Sequence, residues 1–166
     1  MIASLMPSLS RNAVLALIGI TLVLHTAEEY VSFPRFLSTP SRFTPWLPPP
    51  RLLQNSHEIH VALVIATVLP LLVIAWAILR PLKVLLILAL LIESVLLVNA
   101  VWHILASSIV GGYAAGAITA VLINLPFGVY ALRRAVNEQW IGVRTAWQLI
   151  GSAFVLHIVA IGWVLA

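Results

Sequence analysis

Five apolar runs of twenty residues or more dominate this chain, at residues 12–31, 52–79, 82–107, 109–132 and 145–165. About 20 residues of α-helix cross the hydrocarbon core of a bilayer. Inside that core each backbone polar group must be bonded within the protein, so an apolar run of this length folds as a helix. Only 8% of the 166 residues are charged and 62% are hydrophobic, whereas a soluble domain carries about 25% charged residues. The sequence therefore predicts an all-α integral membrane bundle of about five transmembrane helices, forming one domain over residues 1–166. The first run follows Arg11 as a signal peptide would. It is too long, lacks a small-x-small cleavage site and carries polar residues, so it reads as a retained span. Residues 32–51 hold six prolines with Phe33, Phe36, Phe43 and Trp46, which predicts an irregular extramembrane loop at the interface, a candidate lid. Short joints at Arg80-Pro81 and Ser107-Ser108 make neighbouring spans antiparallel.

Charge sets the expected orientation. Arg11, Arg80, Lys83, Arg133, Arg134 and Arg144 fall at one set of span ends, and Arg35, Arg42 and Arg51 at the other. The positive-inside rule then puts the N-terminus in the cytoplasm and residues 32–51 outside a multi-pass cell membrane. The net charge of +4 reports loop topology in such a chain, not nucleic-acid binding. The chain has no cysteine, which excludes disulfides, thiolate metal sites and cysteine nucleophiles.

Against this apolar background stands His25-Thr26-Ala27-Glu28-Glu29-Tyr30. A helix there gathers His25, Glu28 and Glu29 on one face, because residues three and four apart are neighbours. Charged groups inside a bilayer are costly unless paired, hydrated or bound to something. Other spans add His57, Glu58 and His60, then Glu93, Asn99 and His103, then His157. Counting the rise of each helix from its basic inner end places His25 at about 21 Å, Glu28 at about 25 Å and Glu29 at about 27 Å. His60 and His103 fall at about 30 Å, Asn99 at about 24 Å, and His157 at about 20 Å. His57 and Glu58 come out at about 33–35 Å, near a span end, and Glu93 lies deepest at about 15 Å. These residues are expected to form a site toward the outer leaflet.

Helix bundles build metal centres from such parts: single glutamates on some helices and Glu/His pairs on others. The metal candidates are His25, Glu28, Glu29, His57, His60, His103 and His157. Glu29, Glu58 and Glu93 are candidates for acid/base or relay work, and Asn99 for orienting a ligand or binding substrate. Nitrogen and oxygen donors suit iron, manganese or zinc, as one ion or two. The reading is a metal-dependent enzyme acting on a lipid or other apolar small molecule, with oxidation at iron slightly favoured over zinc hydrolysis. Three others compete: a metal-free isomerase shuttling protons between Glu and His, a cation or proton transporter, and a haem-binding electron carrier. A transporter needs a polar path to both faces, and the inner half of the chain is almost wholly apolar. For each polar residue the plainer role is an interhelical hydrogen bond. The glycines Gly111, Gly112 and Gly116 read as close helix packing. His57-Glu58-Ile59-His60 is not a zincin motif, since its histidines are three apart and not four.

His25-Thr26-Ala27-Glu28-Glu29 also resembles the motif that defines the HXXEE family of small multi-span bacterial membrane proteins. His57-Glu58, Glu93, Asn99 and His103 are similar to later polar positions of that family. Tyr113 to Gly116 and Leu125-Pro126-Phe127-Gly128 resemble its fourth-span pattern, Tyr-x-Pro-Gly and then Leu-Pro-x-Gly. Ala115 stands where the proline would be. The resemblance covers roughly residues 12–135 and implies a shared polar site, but no particular reaction.

Overall fold

The computed structural model describes residues 9–38 and 56–165, and all their regular structure is helical. We label the elements α1 (Arg11–Ser38), α2 (Ser56–Leu79), α3 (Lys83–Val110), α4 (Ala117–Thr119), a π-helical turn (Ala120–Asn124), α5 (Leu125–Asn137) and α6 (Val143–Leu165). Four helices are long and apolar enough to cross a membrane, over Arg11–Phe33, His57–Leu79, Lys83–Ile109 and Val143–Ala160. This is the all-α membrane bundle that the sequence predicts.

Three boundaries differ from expectation. First, α1 continues seven residues past Val31 to Ser38, so residues 32–38 of the expected loop are helical; residues 39–51 of it lie outside the described residues. The helix passes through Pro34, which has no N–H to offer the Tyr30 carbonyl. A ring nitrogen of His60 on α2 lies 3.3 Å from that carbonyl, and the two aromatic rings stack at 4.0 Å between centroids. Second, there is no joint at Ser107-Ser108. The Ser108 hydroxyl bonds back to the Ile104 carbonyl, and the helix runs on to Gly111, whose φ of 65° ends it in a left-handed cap. Third, the fourth expected span is broken. Residues 111–116 form a non-helical link, followed by α4, the π turn and α5. In the π turn the Leu125 N–H bonds the Ala120 carbonyl, five residues back. Pro126, next in sequence, cannot supply the following N–H, so the ladder widens where one rung is already missing.

α3 is the hub and packs against every other element, while α2 and α6 are peripheral. Of the apolar windows of α1 and α3, 39% and 44% are buried, against 11% for each of α2 and α6. Ile20, Val64, Leu72, Trp76, Val155 and Val159 accordingly face outward, where lipid tails are as good a solvent as protein. Burial alone gives little drive to assemble such helices; close packing and interhelical hydrogen bonds do the work.

The packing is apolar at one end of the bundle. Leu15 and Ile18 of α1 meet Ile74 and Ala77 of α2, Leu85, Leu86, Ala89 and Leu90 of α3, Ala135 of α5, and Leu149 of α6. The same end collects Arg11, Arg80, Lys83, Arg133, Arg134 and Arg144. Arg134 pairs with Glu138 at 2.8 Å, donates to Tyr130 and to the Leu9 carbonyl, and lies over the Trp140 ring. The polar residues gather toward the opposite end.

Candidate metal centre

Three side chains converge where α1, α3 and the 111–116 link meet. His25 and Glu29 sit one turn apart on α1, and His103 comes from α3. His25 Nε2 lies 3.6 Å from Glu29 Oε1, and His103 Nε2 lies 3.0 Å from the same oxygen. All three donor atoms fall within 4.8 Å of one another. The imidazoles meet edge to face, with centroids 5.1 Å apart. All three residues are buried, His25 at 1% exposed, His103 at 8% and Glu29 at 9%. The short approach of His103 Nε2 to Glu29 is not along a hydrogen-bond direction, so this buried nitrogen has no hydrogen-bond partner. Donors around one ion at about 2.0–2.2 Å stand a little over 3 Å from each other, and these separations fit.

The other ring nitrogen of His25 is held in a defined state. Thr119 Oγ1 lies 2.6 Å from Glu28 Oε2 and donates to it. A hydroxyl has one hydrogen, so toward His25 Nδ1, at 2.7 Å, Thr119 can only accept. His25 therefore carries its proton on Nδ1 and presents an unprotonated Nε2 to the cluster. Asn99 Nδ2 lies 2.8 Å from that unprotonated Nε2 and donates to it. Histidine ligands are commonly oriented by such a partner on the far nitrogen. Thr119→Val removes it and is expected to weaken metal binding about 10–100-fold, measured by competitive titration with a chromogenic chelator.

Glu28, the neighbouring carboxylate, points elsewhere. Its Oε1 accepts from the Tyr113 hydroxyl at 2.6 Å and the Ile118 N–H at 3.0 Å. Its Oε2 accepts from the Thr119 N–H at 2.7 Å and the Thr119 hydroxyl at 2.6 Å. Partial burial and the bond to Glu28 raise the Tyr113 phenol above its ordinary range, so it remains a donor. Glu28 thus clamps the 111–116 link and the start of α4 to α1.

Gly116 closes the site. Its φ is 82°, and a Cβ there would stand 2.9 Å from His25 Cε1, 3.1 Å from Glu29 Cγ and 3.1 Å from His103 Cε1. The expectation of simple helix packing missed this position, as it missed Thr119 and Tyr113. The spacing from Tyr113 to Gly116 was the available signal, since it repeats the pattern of the resembling family.

The remaining candidates are not among the three converging donors. His60 packs on Tyr30. His57 and Glu58 are exposed on the first turn of α2. His157 on α6 lies edge-on to Trp102, with centroids 5.9 Å apart, and its buried Nε2 has no hydrogen-bond partner. Glu93 is fully buried, ten residues and about 15 Å along α3 from His103. Among the described residues, His25, Glu29 and His103 are the group of three placed to hold a metal.

Fold and site together define a small helical membrane protein with a buried two-histidine, one-carboxylate cluster. Residues 16–131 match the model of the family described as protein of unknown function with HXXEE motif, and the chain belongs to that family. No curated protein and no solved structure matches it.

Proposed function

We propose that this chain is an integral membrane metalloenzyme acting on a lipid or another apolar small molecule, with one divalent transition-metal ion held by His25 Nε2, Glu29 and His103 Nε2. The convergence of those three buried donors carries the reading. Two imidazoles and one carboxylate form the donor set of both zinc hydrolases and non-haem iron oxygenases. An ion with an open position would supply either a Lewis acid for water or a centre for O2. The sequence favoured iron because several carboxylates fell at one depth. Glu28 is engaged by four donors and Glu93 lies a long way off, so that ground falls away and a single ion of either kind fits.

The protein's own part is orientation and exclusion. Thr119 and Glu28 hold the His25 proton on Nδ1. Asn99 stands beside Nε2 to orient a ligand or a substrate group. Gly116 leaves room above all three donors. The Glu29 and His103 side chains retain 12% and 10% exposure against 2% for His25, so a substrate approaches from their side. With the basic end cytoplasmic, the site faces the outer leaflet.

A metal-free isomerase is the second reading. The chain Glu28–Thr119–His25–Asn99 is fully hydrogen-bonded without an ion and would serve a proton shuttle. Elemental analysis of detergent-purified protein made with ample iron and zinc, and without chelator, separates the two. One iron or zinc per chain is expected, lost in Glu29→Gln and in His103→Ala. Protein free of metal under those conditions would sink the metalloenzyme and leave the isomerase.

A further inference from the structure

A second set of buried polar groups lies well inward of the cluster, among apolar neighbours. Glu93 on α3 and Asn124 on the π turn are both 0% exposed. Both Glu93 oxygens, and both polar atoms of the Asn124 amide, lack a hydrogen-bond partner within the protein. A Cβ on Gly128 would stand 2.9 Å from Glu93 Oε1, so this glycine makes room for the carboxyl. Asn124 lies four residues before Gly128, one turn away on the same face, and the π turn and α5 both pack on α3. Buried polar groups in proteins are almost always bonded to protein or to water. Four such atoms on facing elements need partners that the protein itself does not supply.

We propose that Glu93 and Asn124 form an inner proton site, in which a protonated Glu93 carboxyl and the Asn124 amide share bound water. No Lys, Arg or His pairs with Glu93 among the described residues, and an unpaired carboxylate is strongly disfavoured at this depth. One carboxyl and one amide offer too few oxygens for a hard cation that takes six or more. A neutral acid bonded to water satisfies all four atoms. In an exchange, the proton leaves one Glu93 oxygen for the water while the water returns one of its own protons to the other Glu93 oxygen, so the carboxyl stays neutral and one hydrogen is exchanged with the water. Asn124 and Thr119 stand at the two ends of the π turn, and Thr119 bonds His25, so this element leads from the inner site to the outer one. The inference goes beyond the metal reading and stands without it.

Infrared spectroscopy of the full chain, in nanodiscs and without added metal, tests this. The chain has no aspartate and five glutamates, so the carboxyl region is simple. At neutral pH the wild type is expected to show a protonated-carboxyl band that shifts in D2O and is absent in Glu93→Gln. Asn124→Leu is expected to keep the band but slow its shift at least tenfold. Gly128→Ala, a second probe should that variant fail to fold, is expected to move the band by displacing the carboxyl. The inference is overturned by a missing band, by one that survives in Glu93→Gln, or by one insensitive to D2O. An unchanged exchange rate in folded Asn124→Leu, or an unmoved band in Gly128→Ala, overturns it equally. Because no metal is added, these outcomes are independent of whether the outer cluster binds one.

Discussion

Gly116→Ala is expected to abolish metal binding and to lower the stability of the bundle by about 2–5 kcal/mol, the sum of two separate penalties. A φ of 82° places this residue in the left-handed region, which costs a residue with a Cβ roughly 1–2 kcal/mol. Its Cβ would also meet His25, Glu29 and His103 at 2.9–3.1 Å, and overpacking of this kind costs about 1–3 kcal/mol. The atoms met are two imidazole Cε1 carbons and a carboxylate stem, so relief comes only by moving the donors apart. Gly111→Ala is the matched control. Gly111 also has positive φ, at 65°, but nothing lies within 4 Å of the added carbon. It should lose only the backbone penalty and keep its metal. Thermal unfolding in detergent together with metal content reads both variants. A Gly116→Ala protein that binds metal normally would show that the three side chains are not the site.

The bundle was legible in the sequence because membrane spans are written in composition. A run of apolar residues beyond the bilayer thickness has few alternatives. The breaks were harder. Pro34 looks like a stop, yet α1 continues, because a ring nitrogen from α2 approaches the carbonyl that Pro34 leaves unbonded. Ser107-Ser108 looks like a joint, yet the Ser108 hydroxyl bonds the Ile104 carbonyl, the Ser107 hydroxyl accepts from the Ala114 N–H, and the real turn waits for Gly111. Depth counting brought His25, Asn99 and His103 into one half of the membrane but separated His25 and His103 by about 9 Å. The spans do not start level, and tilt shifts one helix past another. Spacing on α1 could put Glu28 and Glu29 near His25, but could not say which of them faces α3. That choice depends on Tyr113 of the 111–116 link and on the Ile118 and Thr119 N–H groups of α4, which draw Glu28 away. Tyr113 entered the sequence reading only through a family pattern, and Gly116 otherwise only as close helix packing, because their importance is tertiary.

The division of labour between adjacent glutamates gives the second large expected effect. Glu28→Gln should destabilise the protein by about 2–4 kcal/mol, since bonds to a charged acceptor are worth about 1.5–3 kcal/mol each and do not add fully. The amide is no substitute. Each Glu28 oxygen accepts from two donors, so either rotamer of glutamine turns its NH2 group toward two hydrogens. Loosening the clamp frees the link that carries Gly116 and the short helix α4 that carries Thr119, and metal affinity should fall with stability. Glu29→Gln should behave in the opposite way. Glu29 lies against two ring nitrogens and has few bonds to lose, so the variant should unfold at or above the temperature of the metal-free wild type while holding no metal. Unfolding curves and metal content, measured side by side for the two variants, decide the matter. Unchanged stability with lost metal in Glu28→Gln would make Glu28 a ligand, and the cluster would then contain a second carboxylate. A loss in stability for Glu28→Gln alone, with metal binding weakened there and removed in Glu29→Gln, is what a clamp beside a ligand predicts.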